Sequence, residues 1–312
     1  MVMTVREAIN ADSLGVCLTH EHVLVDFIGA DSVTPDRYDP QDVIQVVLPF
    51  LMEAKELGCQ TFFECTPAYL GRDPELLLKL SELSGLQIVT NTGYYGARND
   101  QHLPKHVFSE TAVQLADRWI SECKSGIDGT EIRPGFIKIG VDPGSLSELH
   151  RKIVKAAALT HLKTGLTIAA HTGPAIGAFE EIEILKESGV DPSAFIWIHA
   201  QNEKSLGLHI KAARLGVFVS FDGLGWGSSE EYVKLISNMK SQNLLHKALI
   251  SHDTGWYHVG EPGGGQFKDF GKLFRELIPA LKQAGFNQDE IDQLLITNPR
   301  NAFGIRVRKY KN

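Results

Sequence analysis

The sequence predicts an α/β chain folded as a (β/α)8 TIM barrel, a single domain over residues 1–312. Three observations predict it. Eight short β-rich runs, at 16–19, 61–65, 87–92, 136–140, 167–171, 195–199, 217–222 and 248–253, alternate with longer helical patterns from end to end. The runs are near-continuous apolar stretches, as strands covered on both faces should be. No Gly-x-Gly-x-x-Gly turn follows any of them, which counts against the competing open doubly wound sheet.

The elements follow in order. Residues 1–18 are expected to hold a small hairpin that plugs the barrel floor, with Asn10-Ala11-Asp12 as its turn. Asp39-Pro40 reads as an N-cap followed by proline at the first helical position. Val43, Val47, Leu51, Ala54 and Leu57 then form a stripe that Gly58 closes. Asp73-Pro74 repeats the start signal before Leu76, Leu77 and Leu80. Near the C-terminus, Phe270, Leu273, Phe274, Leu277, Ile278 and Leu281 recur at helical spacing before Gly285. These stripes are expected to be packing faces.

Of the 312 residues, 43% are hydrophobic and 22% charged, ample for a large core. A formal net charge of −7 and the lack of Lys/Arg runs argue against a nucleic-acid surface. Cys17, Cys59, Cys65 and Cys123 show no C-x-x-C pairing and read as free thiols, which fits a reducing compartment. Residues 1–7 lack a basic region leading into an apolar core, and no apolar stretch reaches the ~18 residues of a membrane span. The expectation is a cytoplasmic protein that engages no membrane.

Strand ends carry the chemistry, because the working face of such a barrel lies at the C-terminal ends of its strands. Leu18-Thr19-His20-Glu21-His22-Val23 puts two imidazoles at i and i+2, on one face of a strand. Lys138 stands in Gly135-Phe136-Ile137-Lys138-Ile139-Gly140; His171 ends the fifth run, His199 the sixth and Asp253 the eighth. Singly, each has a structural explanation, such as a backbone cap. Lys138 is the hardest to explain that way, since a lysine inside an apolar strand is costly to desolvate unless paired or modified.

The ordered set His-x-His, Lys, His, His, Asp resembles the phosphotriesterase-like branch of the amidohydrolase superfamily, over almost the whole chain to Thr297-Asn298-Pro299-Arg300-Asn301-Ala302-Phe303. The resemblance implies two divalent metal ions. His20, His22 and Asp253 would hold one, His171 and His199 the other, and a carboxylated Lys138 would bridge them. Zinc is the first choice for imidazole and carboxylate ligands, with manganese, cobalt and iron left open. A hydroxide between the ions is expected to attack an ester-like carbon or phosphorus centre, with Asp253 accepting its proton. The resemblance also suggests a homodimer.

For the substrate, Tyr95 in Asn91-Thr92-Gly93-Tyr94-Tyr95 looks like the tyrosine that faces the metals in lactone-hydrolysing members. Trp226, Trp256, Tyr257 and His258 are expected to line the pocket of a small-molecule substrate. Arg72 and Arg98 read first as surface ion pairs, with anion binding as the alternative. Two departures from the characterised enzymes stand out: Asn202 replaces an acidic relay residue three positions after His199, and Gly223-Leu224-Gly225 offers no basic group, so a relay through solvent or Asp222 is expected instead. Lactone or other carboxylic-ester hydrolysis, with promiscuous phosphotriester cleavage, is the leading function. Hydrolysis of an N-acyl amino acid on the same site and a noncatalytic ligand-binding barrel are the alternatives.

Overall fold

The computed structural model describes residues 1–311. Its strands are β1 (Val2–Met3), β2 (Ala8–Ile9), β3 (Cys17–Val25), β4 (Thr61–Glu64), β5 (Gln87–Val89), β6 (Asn91–Thr92), β7 (Phe136–Gly140), β8 (Ile168–His171), β9 (Phe195–Ile198), β10 (Phe218–Phe221), β11 (Ala248–Ile250) and β12 (Gly255–His258). The main helices are α1 (Pro40–Glu56), α2 (Pro74–Ser84), α3 (His106–Ser109), α4 (Ala112–Ser125), α5 (Glu148–Thr164), α6 (Ala175–Glu187), α7 (Leu206–Arg214) and α8 (Ser229–Ser241).

Apart from the antiparallel pair β1–β2, the named strands pair in parallel, in two arcs ordered β11-β10-β9-β8-β7-β6 and β12-β3-β4-β5. The strand expected at 87–92 breaks at Thr90 into β5 and β6, joining the arcs on one side. On the other, the Asp253 N–H donates to the His20 carbonyl and the His20 N–H to Ser251 Oγ. The result is a (β/α)8 barrel.

Local signals act as the sequence predicts at the two proline starts. The Asp39 carboxylate accepts the Gln41 N–H ahead of α1, and Asp73 accepts the Leu76 N–H ahead of α2. Val43, Val47, Leu51 and Ala54 are buried. Near the C-terminus the stripe is helical but widened: a π turn over Leu273–Leu277 precedes Ile278–Gln283, and another over Gln293–Thr297 precedes Asn298–Phe303. Pro279 and Pro299 lack the N–H that regular α pairing requires there.

The floor is closed differently from expectation. The β1–β2 pair turns through Thr4–Glu7, whereas Asn10 caps a 3-10 turn over Ala11–Ser13. Val2 and Leu14 join Phe63, Phe136, Ile196 and Phe218 in an apolar cluster inside the barrel, against which Phe303 stacks at 4.0 Å from Phe63. This seals the end opposite the histidines. No helix among the described residues is long and apolar enough to cross a membrane, and the four cysteines are free.

One buried acid ties a helix to the barrel. Glu181 of α6 has no exposed surface, and among the described residues its carboxyl meets only Thr172 Oγ1, at 2.7 Å. Burial pushes its carboxyl up to about 8. A neutral Glu181 donates to Thr172 Oγ1, which in turn donates to the Ala170 carbonyl, 3.1 Å away. Because the folded state holds this proton and the unfolded chain releases it near 4.5, the contribution to stability is complete below about pH 4.5 and is lost as pH rises toward 8. In urea unfolding, Glu181 should contribute a fall in stability on the order of 5 kcal/mol across that window. In Glu181→Gln that fall should flatten.

Candidate metal centre

The barrel mouth is built first by β3. The strand shifts register against β4 between Leu18 and Glu21 and pairs with β12 from His22 to Val25, so it runs nine residues and His20 and His22 lie within it rather than at its end. Alternation then sends both imidazoles inward and Glu21 outward. His171 closes β8, while His199 and Asp253 follow β9 and β11 in left-handed conformations, φ 60° and 56°. The eighth strand therefore ends before Asp253. Non-glycine residues are rare in that region, and two among these few positions mark a geometry held by its surroundings.

The four rings form a row. Centroid separations are 5.3 Å from His22 to His20, 5.1 Å to His199 and 4.4 Å on to His171. Asp253 Oδ1 lies 3.1 Å from His22 Nε2 and 3.5 Å from His20 Nε2. His199 Nε2 approaches His171 Nδ1 at 2.9 Å. Lys138, only 2% exposed, opens on the same cavity, and among the described residues its Nζ has neither hydrogen-bond nor ion-pair partner. The cavity measures about 460 Å³ and reaches all six residues.

Partners behind the rings set their orientation. His22 Nδ1 meets Thr66 Oγ1 at 2.8 Å. His199 Nδ1–H and His20 Nδ1–H both donate to the Asp222 carboxylate, at 2.7 and 3.3 Å. That leaves the Nε2 atoms of these three rings facing the cavity. Burial raises the Asp222 carboxyl, but His199 and His20 outweigh it and hold it well below the usual range. The His20, His199 and Asp222 atoms also cluster within 4.8 Å, as do those of His20, His22 and Asp253. The second group faces the cavity; Asp222 meets its rings from behind and orients them. Burial drives the His22 ring down to about 4 and His171 well below its usual value, so both are neutral lone-pair donors. Asp253 is an anion, its desolvation outweighed by His22 and His199. Four imidazoles, one carboxylate and one unpartnered lysine suit divalent ions such as zinc.

Tyr95 stands over this row. Its Oη lies 3.3 Å from His171 Nε2, and Lys138 Nζ is 5.8 Å from its ring centre. Burial keeps the hydroxyl protonated. A Cβ on Gly140 would come within 2.5 Å of the Tyr95 ring, so glycine there makes the placement possible. Trp256 stacks near His22, centroids 4.1 Å apart, and lines the cavity. Its indole N–H and that of Trp226 both donate to the Asp253 carbonyl at 2.9 Å. Trp226 and His258 lie on an adjoining rim slot. Tyr257 corrects expectation: alternation along β12 turns it outward against Gly264, away from both spaces. Arg72 is remote, paired with Glu122 and Asp128. Arg98 lines the cavity and among the described residues forms no ion pair.

Glu21 escaped the sequence reading. Fully buried, it accepts from Ser251 Oγ, from the His252 and Thr254 N–H groups, from His252 Nδ1–H and from Thr254 Oγ1. It fixes the segment that carries Asp253. The available signal was an acid between two inward histidines, forced by alternation into apolar surroundings.

A cluster of imidazoles, an acid and a buried lysine at the mouth of a (β/α)8 barrel defines a hydrolase of the metal-dependent barrel class. A model of the Phosphotriesterase family matches residues 1–303, and the chain belongs to that family. It is 31% identical to the phosphotriesterase homology protein of Escherichia coli strain K12 over 296 residues, 94% of this chain and 99% of that one. It is 28% identical to N-acetyltaurine hydrolase of Dictyostelium discoideum, covering 84% of this chain and 74% of the relative. A variant of organophosphorus hydrolase from Deinococcus radiodurans superposes with a TM-score of 0.89 at 25% identity, over 97% of each chain. The family generally uses a binuclear metal centre and acts on small molecules.

Glu21→Gln should cost about 2–4 kcal/mol in urea unfolding, because one amide cannot accept from every donor that the carboxylate serves.

Proposed function

We propose that this chain is a binuclear-metal hydrolase of lactones and other carboxylic esters, with phosphotriesters as secondary substrates. The observation that carries the reading is the meeting of His20, His22, His171, His199, Asp253 and an unpartnered Lys138 on one cavity. His20, His22 and Asp253 would hold one ion and His171 and His199 the other. Lys138, carboxylated on Nζ, would serve both, which accounts for a buried amine with no counter-charge. Two divalent ions held there would supply Lewis-acid activation of the substrate oxygen and of the attacking water.

The chain's own residues do the rest. Asp253 takes the proton lost by the attacking water at a carboxylate oxygen. Its side chain is 17% exposed and passes the proton to cavity water, whereas Asp222 has no exposed surface and acts by orienting His20 and His199. This favours the solvent route over a relay through Asp222. Tyr95 Oη, a phenol, donates to the substrate carbonyl as negative charge builds on it. Trp256 excludes water from one wall.

Amide hydrolysis on the same residues is a second reading, favoured by the similarity to an N-acetyltaurine hydrolase. The free cysteines fit a cytoplasmic location.

Elemental analysis should find two divalent ions per chain, and mass spectrometry under non-denaturing conditions a CO2 adduct lost in Lys138→Ala. Purified protein without stoichiometric metal would overturn the assignment. Asp253→Asn should lower kcat on an ester by about 10²–10⁴-fold while circular dichroism stays that of wild type. Trp256→Ala should shift preference across a panel of lactones, esters, amides and phosphotriesters at constant metal content.

A further inference from the structure

We infer that the substrate carries a negatively charged group, carboxylate or sulfonate, and that Arg98 binds it. The inference rests on the hydrolase reading of the site and deepens it. Arg98 lines the same cavity as His22, Lys138, His171 and Asp253. Its guanidinium carbon lies 4.4 Å from the centre of the Phe27 ring, which shields one face of the fork and leaves its edge for a ligand. Among the described residues no carboxylate forms an ion pair with it, although several acids are near. Asp142, on the same wall, accepts the Asn99 N–H with both oxygens, at 3.2 and 3.3 Å. Asp100 meets His150 Nε2 at 3.0 Å, and Asp26 is paired with Arg37. Each of these acids is engaged elsewhere, so among the described residues Arg98 stands at the cavity wall without a carboxylate partner.

The backbone beneath Arg98 is unusual. Arg98, Asn99 and Asp100 all adopt left-handed conformations, with φ of 63°, 57° and 61°. Such residues cost about 1–2 kcal/mol each, and a run of three requires strong external support. The support is present: the Asp100 N–H donates to the Gly96 carbonyl, the Leu103 N–H to the Asp100 carbonyl, and buried His150 braces Asp100. This turn directly follows Tyr95, so one segment delivers both a phenol over the histidine row and a cation at the cavity wall. The remaining wall, with Phe27, Leu70, Ala97, Pro143 and Trp256, is mainly apolar. An acyl group near the histidines, a short apolar spacer and a terminal anion at Arg98 match that order of surfaces. A guanidinium fork binds carboxylate and sulfonate oxygens alike in pairs.

Matched substrates test the inference: 2-acetoxyethanesulfonate against 2-acetoxyethyl methyl sulfone, and N-acetyltaurine against its methyl sulfone counterpart. The metal-loaded wild type should favour the charged member of the cleaved pair at least tenfold in kcat/KM. Arg98→Ala should collapse that ratio, chiefly through KM, and Arg98→Lys should restore part of it. Lys105→Ala, which removes an exposed surface cation, should keep it. In calorimetry, propane-1-sulfonate should bind wild type at least fivefold more tightly than Arg98→Ala of equal metal content. An unchanged ratio or an equal sulfonate affinity in Arg98→Ala overturns the inference. If the metal-loaded protein cleaves neither pair nor any lactone or phosphotriester, the hydrolase reading falls, and the calorimetric comparison still decides whether Arg98 is an anion subsite.

Discussion

One buried carboxylate governs the working face. Asp222 receives N–H groups from His20 and His199, two rings that would serve different ions, and also the backbone N–H of His199. An imidazole has two nitrogens and a freely rotating stem, so a ring without such a partner can present the wrong nitrogen or the wrong angle. Joining both rings to one acid makes their orientations interdependent. Burial strengthens this link, because no water competes for the oxygens. Glu21 does for the backbone around Asp253 what Asp222 does for the rings. The donor set is thus held from behind by two acids that never face the cavity.

The barrel and its inward donors were legible because both follow from simple periodicities. Apolar runs of strand length end in His171, His199 and Asp253, and the i, i+2 spacing of His20 and His22 specifies a shared face. Asp39-Pro40 and Asp73-Pro74 announced helix starts because capping is a local interaction. What was hidden depends on contacts distant in sequence. The five hydrogen bonds to Glu21 come from residues about 230 positions away. The floor hairpin's turn was misplaced because Asn10 is as good a helix cap as a turn residue. Tyr257 was grouped with Trp256 and His258 because loop composition gives no alternation, while the segment in fact pairs with β3 as a strand.

Strain is concentrated where the chemistry would occur. His199, Asp253 and Trp256 have positive φ, as do Arg98, Asn99 and Asp100 across the cavity. Each position is bound by several hydrogen bonds or by a packed ring. The fold thereby keeps reactive side chains at angles that a regular strand would not allow, at an energetic cost carried by the surrounding barrel.

The Asp253 carbonyl accepts two indoles, Trp226 from the segment after β10 and Trp256 from that after β11. The loop that carries Trp226 and the strand β12 that carries Trp256 therefore share an anchor. Shortening or swapping one strips the anchor of half its partners and alters the seat of the other. New specificities on this scaffold should arise by matched changes in both loops, or at the Arg98 turn, which hangs from separate supports.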